Sequence, residues 1–449
     1  MSSFAGIETA LRALRARQLQ METATHNVAN AETPGYHRQE VDLVASPPYP
    51  APGFGYAGPG QIGTGVTVSG LRRVADSFLA HRLRLELAQQ GASDVRQDTT
   101  ARIETVFDEL SDHGVSTLLG RFWNAWQEVA NAPTDPGIRM NLVTQAQTFA
   151  ESVQRTARQL QDLRRDLDEQ VRIQVEQLNQ LAGEVAGLNR QIAVSEGTGL
   201  RANDLRDRRD ALLGELARLA RVGIAELPNG NVRVVLAGVP LVEGEQVTPV
   251  STQRNPTGWL DVVGPGGVVL QPSGGSLAVN DVHAGTNPPT NVYDLVTPGT
   301  PVQRDFFVGT GAADLAVNPA LLSNPSLVAA SRTANGPGDG SNALAVAALR
   351  EDATAGGAPA GAPTIDGEYQ ALVAAIGHAA RSAKDAAESQ DVLVEHLTRR
   401  DAELAGVSLD EEAARLVAYQ RAYQAAARAL TAFDEMLERL INGTGRVGR

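Results

Sequence analysis

The side chains best suited to chemistry are too scattered to act together. The seven histidines, His26, His37, His81, His113, His283, His378 and His396, never come closer than eleven positions, so no helical i, i+4 pair of metal ligands exists. Cysteine is absent, which removes disulfides, thiolate nucleophiles and Cys-based metal sites together. Gly309-Thr310-Gly311-Ala312-Ala313-Asp314 follows the apolar Phe306-Phe307-Val308 and matches half of a dinucleotide fingerprint. It lacks the third glycine and a following βαβ unit, so a plain glycine loop is the better reading. Asp207, Arg208, Arg209 and Asp210 could form an acid–base constellation, but a solvated or inter-helix salt-bridge network accounts for them more simply. Asn442-Gly443-Thr444 matches a glycosylation sequon with no other support. There is neither a Walker A sequence nor a G-x-S-x-G elbow. No catalytic, cofactor-binding or metal-ligating residue is assigned, and the chain is read as a non-enzyme without cofactors.

The bulk composition agrees. At 449 residues the chain has room for two to four domains. Aromatic residues make up only 4%, which suits long helices packed by small and aliphatic side chains more than a large ligand pocket. The net charge of -13, with no basic block, argues against a nucleic-acid partner. No run of 18 apolar residues exists, so membrane insertion is not expected. Met1 to Asn30 is amphipathic, carries charges throughout and lacks the apolar stretch of a cleavable signal peptide.

The elements are clearest at the two ends. Phe4, Ile7, Leu11, Leu14, Gln18, Met21, Thr25 and Val28 alternate in steps of three and four, one seam of a helix. Leu416, Tyr419, Tyr423, Ala426, Leu430, Phe433, Leu437 and Leu440 repeat the pattern near the other end. Each stripe is a rod of roughly 40 Å, and so narrow a seam needs a partner: the other end, a neighbouring subunit, or both. A Pro/Gly/Tyr-rich linker fills 46–65, with strand-like residues at Gly65 to Val68. Helices are predicted over about 76–110, over 116–130 with Ser116 as N-cap, over 139–195 and over 202–219. The stripe of the third, from Leu160 to Ile192, contains two successive steps of four, a local stutter. Residues 223–263 alternate around Asn229-Gly230, a hairpin signal, and 264–340 are Gly/Pro/Asn-rich. Helices resume at about Asn342 and continue from Asp366 to the end. The expected fold is mainly α with a β-rich insertion, in discontinuous domains whose terminal long helices pair as a coiled-coil-like bundle. Residues 1–45 and 400–449 would form the terminal layer, 46–222 and 341–399 the helical body, and 223–340 the β-rich, loop-rich insertion.

Two motifs go further. The first runs Asn27-Val28-Ala29-Asn30-Ala31-x-Thr33-Pro34-Gly35-Tyr36-x-Arg38-Gln39, preceded by Ser3-Phe4-x-Gly6-Ile7 and Ala10-Leu11. Asn27 and Asn30 can hydrogen-bond free backbone groups at a helix end, and Thr33-Pro34-Gly35 stops the helix before Tyr36. The second runs from Val407-Ser408-Leu409-Asp410-Glu411-Glu412, with Ser408 and Glu411 in capping-box spacing, through Leu416-Val417-x-Tyr419-Gln420 to Met436-Leu437. Together they resemble the terminal signatures of the flagellar rod, hook and hook-associated axial proteins. The interior, with Asn131-x-Pro133-Thr134-Asp135-Pro136 and Asn203-Asp204-Leu205-Arg206-Asp207-x-Arg209-Asp210, is similar to the hook-associated branch. One departure concerns Gly274-Gly275, which in that branch precedes a helix of some twenty residues. Here it runs almost directly into Leu277-Ala278-Val279-Asn280, a contraction.

The resemblance implies a structural role in motility at the bacterial flagellum. The chain would be exported through the flagellar type III apparatus with an export chaperone. It would assemble outside the cell as a ring joining hook protein to the second hook–filament junction protein (FlgL type). The terminal helices, loose in the monomer, would order on packing. The other readings are an axial protein of hook or rod type, against which the long internal helices stand, and a secreted coiled-coil adhesin or effector, against which the double signature stands.

Overall fold

Periodicity of 3.6 residues governs most of the chain. The computed structural model describes residues 3–48, 63–107, 112, 114–256, 258–277, 305–333, 338–352 and 363–444. Helix α1 (Ser3–Ala29) leads into a two-stranded antiparallel ribbon, β1 (Gln39–Ala45) and β2 (Val66–Arg73), in register from Gln39↔Arg73 to Ala45↔Val66 with an irregularity between Asp42 and Leu43. Four helices follow: α2 (Ser77–Phe107), α3 (Val115–Asn131), α4 (Pro136–Glu196) and α5 (Asn203–Leu219). Asp76 Oδ1 accepts from Phe78 N at 2.9 Å and starts α2. Asp135 caps α4, accepting from Gly137 N at 2.7 Å, with Pro136 pre-set in the first turn. The expected Ser116 cap is corrected: Gly114 occupies the position without a side-chain bond, and Ser116 lies inside the first turn.

The β-structure then forms a meander, β3 (Val222–Glu226), β4 (Val232–Leu236), β5 (Val239–Glu243) and β6 (Gln246–Val247), followed by the hairpin β7 (Ser251–Arg254) and β8 (Leu260–Val263). Gly230, at φ +81, supplies the left-handed residue that closes the first turn of the meander. Two residue pairs, β9 (Phe307–Val308) and β10 (Ala316–Val317), precede the short helices α6 (Pro319–Ser323) and α7 (Ser341–Ala348). The chain closes with α8 (Ile365–Ala405) and α9 (Leu409–Thr444).

Helix α4, 61 residues and so about 90 Å long, is the spine. Towards its C-terminal end Val171, Val175, Leu178, Leu181 and Val185 pack with Leu213 and Leu216 of α5 and with Val234, Leu236 and Leu241 of the meander. Buried amides hold the sheet to the helix. Asn189 accepts from Val232 N at 3.1 Å and donates to Val232 O and Gly244 O, and Asn179 exchanges both bonds with the Val250 backbone. Near its N-terminal end Leu142 and Val143 join Phe122, Trp123, Trp126 and Val129 of α3, with Leu321, Val328 and Ala343 around them. Residues 306–330 therefore pack at the opposite end of α4 from β3–β8. Gly274-Gly275 crosses α5 closely. A Cβ on Gly275 would lie 2.4 Å from the Ala220 backbone, and Gly275 N donates to Ala88 O at 2.7 Å. The expected contraction beyond Leu277 lies outside the described residues.

Candidate assembly interface

Helix α1 lies along α9, so the chain's two ends form one layer. The face of α1 that is buried is the small one: Ala10, Ala16, Thr23, Ala24 and Asn27. Gly6 meets the Phe433 ring so closely that a Cβ would lie 2.6 Å from it. Gln20, Thr23 and Ala24 share a small cavity with Arg415 and Tyr419 of α9. Small residues let two helix backbones approach, and the large side chains of α9 fill the space.

The seam residues named from the sequence divide unevenly. On α9, Leu416, Tyr419, Ala426, Leu430, Phe433 and Leu437 are half-buried and Tyr423 is exposed. On α1, Ile7, Leu14 and Met21 are half-buried, whereas Leu11 and Val28 are 39% and 38% exposed. The side chains of Phe4 and Leu440 lie outside the described residues. In the whole of α9 the single buried residue among those described is Glu412, a charge. The layer thus leaves much of its apolar surface in contact with water, a state that favours a further partner.

Below this pair the helix break is built into a polar joint. Asn30 N and Nδ2 both reach His26 O, Thr33 N donates to Asn30 O, and Gly35 takes φ +75, so Asn30 to Gly35 turn the chain sharply. Pro34 is exposed at the outside of the turn. Asn27 is the centre: its Oδ1 accepts from Tyr36 Oη at 2.8 Å and from Gln39 N at 3.0 Å. Its Nδ2 donates to Gln39 O and to Glu412 Oε2. Glu412 is paired in turn with Arg415 at 2.9 Å. Burial, reinforced by Asp204 and Asp207, raises the Tyr36 pKa and keeps the phenol protonated.

A second hub, Asp207 on α5, ties the joint to the body. It accepts from the His37 backbone N–H at 3.0 Å, pairs with the His37 ring at 2.8 Å and takes the Arg73 guanidinium at 2.8 Å. Arg73 also bonds Asp210 at 2.7 Å. On its other side the His37 ring faces Asp401 of α8 at 3.6 Å, and Arg38 N donates to Ala405 O. Burial alone would lower the His37 pKa, but hydrogen bonds with Asp207 and Asp401 outweigh it and raise it to about 9. Gln39 Nε2 reaches Asp204 at 2.6 Å, and Asn203 Nδ2 reaches Gln39 Oε1 at 3.0 Å. The charges read as a salt-bridge network do form one, between elements. Asp207 and Arg209 are buried, while Arg208 is exposed.

Sequence reasoning named Asn27 and Tyr36 and quoted Gln39 and Glu412 only as members of the two motifs; it named neither Arg73 nor Asp401, nor the buried role of Glu412. The capping box is half formed: Glu411 N donates to Ser408 Oγ at 3.4 Å, while the Glu411 carboxylate pairs with Arg38. In the glycine loop, Asp314 takes the backbone N–H groups of Thr310 and Gly311. Among the described residues no cluster of His, Asp and Glu could hold a metal, and no helix is long and apolar enough to cross a membrane. The arrangement can position helices.

Comparison with known proteins gives three matches along the chain. Residues 100–278 match the flagellar hook-associated protein FlgK helical domain, 402–443 the flagellar basal body rod FlgEFG protein C-terminal segment, and 7–37 the flagella basal body rod protein. The chain is 27% identical to flagellar hook-associated protein 1 of Bacillus subtilis (strain 168) over 515 positions, covering 100% of both. Against the Escherichia coli (strain K12) protein of the same name it is 24% identical over 551 positions, covering 97% of this chain and 99% of the other. Both alignments are longer than this 449-residue chain, so those relatives carry segments that it lacks. A solved structure of the flagellar hook junction protein FlgK from Burkholderia pseudomallei is 26% identical, with a TM-score of 0.41, over 44% of this chain and 38% of that one.

Proposed function

The chain belongs to the FlgK family of flagellar hook-associated proteins, and on that premise we propose that it is a structural joint between hook and filament. Its place is the flagellum. Copies form a ring on the distal end of the hook, contact hook protein on one side, and receive the second junction protein on the other. They reach that place outside the cell through the flagellar type III apparatus, accompanied by an export chaperone.

One observation carries this reading. The two chain ends are already paired, yet Leu11 and Val28 face water and the α9 stripe is only half covered. A helix pair that buries its small face and leaves apolar residues outside is suited to a second layer of helices. Neighbouring copies and the adjoining flagellar proteins would supply it.

The test is to delete the gene in its host and examine isolated flagella by electron microscopy. Complete hooks without filaments, with flagellin shed into the medium, are expected. Missing hooks would move the chain to the hook or rod class, and normal filaments would exclude a junction role.

A further inference from the structure

A cleft of ≈1690 Å³ opens between α2, α5, the C-terminal end of α8 and the turn after α1. Arg84, on α2, lines it half-buried. Among the described residues it has no hydrogen-bond or ion-pair partner, and its Nε is buried and unpaired. An arginine drawn out of water without a counter-ion costs free energy, and buried charges in proteins are normally paired. Burial holds its pKa below the ordinary guanidinium value, and neighbouring Arg73 pushes the same way against the pull of Asp210.

Among the described residues no carboxylate in the cleft bonds it, Asp210 attracting it without a hydrogen bond or ion pair. Asp210 is bonded to Arg73, Asp401 faces His37, Glu226 is held by Arg206 and Asp42 by Arg72. Asp76 caps α2. Glu215 is exposed and makes no hydrogen bond or ion pair with Arg84. Arg209, buried in the cleft's lining, adds to the excess: its guanidinium reaches Asn189 Oδ1 and Gly230 O, and no carboxylate among the described residues pairs with it.

Resting on the assembly reading above, we propose that this cleft receives a carboxylate from a second copy of the chain, with Arg84 as its acceptor. Charge makes the second copy the fitting donor. The chain carries 52 acidic against 39 basic residues, and Glu403, Asp410, Glu435 and Glu438 are exposed on α8 and α9 with no hydrogen-bond or ion-pair partner among the described residues. Continuity points the same way, because the cleft's rim includes Leu19 and Ala31, next to the outward residues of α1. One neighbouring copy can cover both.

The test uses Arg84→Met and Arg84→Lys in the host gene, with the same proteins purified. In Arg84→Met the monomer's Tm is unchanged or raised, since an unpaired charge is removed, and export is unchanged. Filament-bearing hooks nevertheless fall by roughly tenfold or more, because the neighbour's carboxylate is left unpaired. Arg84→Lys restores most of them. A lowered Tm in Arg84→Met would make Arg84 a folding residue and overturn the proposal. So would normal filaments in Arg84→Met where gene deletion leaves bare hooks, an outcome that spares the junction reading itself. Because the chain has no cysteine, His81→Cys, one turn before Arg84, can carry a single photo-crosslinker in isolated hooks. A crosslink to a second copy is expected, and crosslinking only to another flagellar protein would contradict the inference.

Discussion

The terminal pair α1–α9 and the α4-centred core draw on the same Ala, Leu and Val, and bury them to very different extents. In α4, Val171, Leu178, Val185 and Ile192 have no exposed surface, and asparagines on the same helix stitch the sheet to it. In α9 no apolar residue is buried among those described, and where it meets α1 a glycine, Gly6, lies against the Phe433 ring. A core that is finished within one chain resists unfolding alone. A layer whose stripe is half covered gains its remaining stability from whatever docks on it.

Substitutions can separate the two. Leu178→Ala, in the finished core, is expected to destabilise the monomer by about 3 kcal/mol or more. Urea unfolding followed by tryptophan fluorescence reads this well, because all three tryptophans, Trp123, Trp126 and Trp259, lie outside the terminal layer. Leu430→Asp should do the reverse. Filament attachment is lost, while the same fluorescence midpoint moves by less than about 1 kcal/mol, as expected for a site outside the core. A large loss of body stability in Leu430→Asp would erase the distinction between the regions.

The joint lies between the two and has its own signature. Its histidine is held protonated, so the raised pKa stabilises the folded state fully below the unfolded value of about 6.5. That contribution falls as pH rises from there and is gone once pH passes about 9. The loss should amount to about 2 kcal/mol, seen as a falling urea midpoint between pH 7 and pH 10. His37→Gln should flatten the profile; an unchanged slope would assign the pH dependence elsewhere. The smallest effect is expected on the surface of α4. Glu169 is bonded to Arg172 in full solvent, and Glu169→Gln should leave the midpoint where it is.

Legibility in the sequence followed the same division. Long helices announced themselves through periodic Leu and Val, and the predicted bounds of 139–195 and 202–219 differ from those of α4 and α5 by three residues at most. The terminal stripes were legible as stripes. The face that α1 turns to α9 was not, since Gly6, Ala10 and Ala24 mark close approach and carry no hydropathy signal. Strand β1 went unread although Glu40, Val41, Asp42 and Leu43 alternate polar and apolar as a half-buried strand does. The Asp207 hub was legible only as a run of charge: its partner His37 lies 170 positions away, and helical spacing says nothing about such a neighbour. Asn27 could be named for its place at a helix end. That it also reaches Glu412, 385 positions on, needed the fold.

The most direct test of an unfinished terminal layer is hydrogen exchange on the purified monomer and on isolated hooks carrying it. Amides of α1 and α9 should exchange fast in the monomer while those of α4 around Leu178 stay protected, and in the hooks both should be protected. Protection of α1 and α9 in the monomer equal to that of α4 would mean the layer is complete without partners, and would contradict the account.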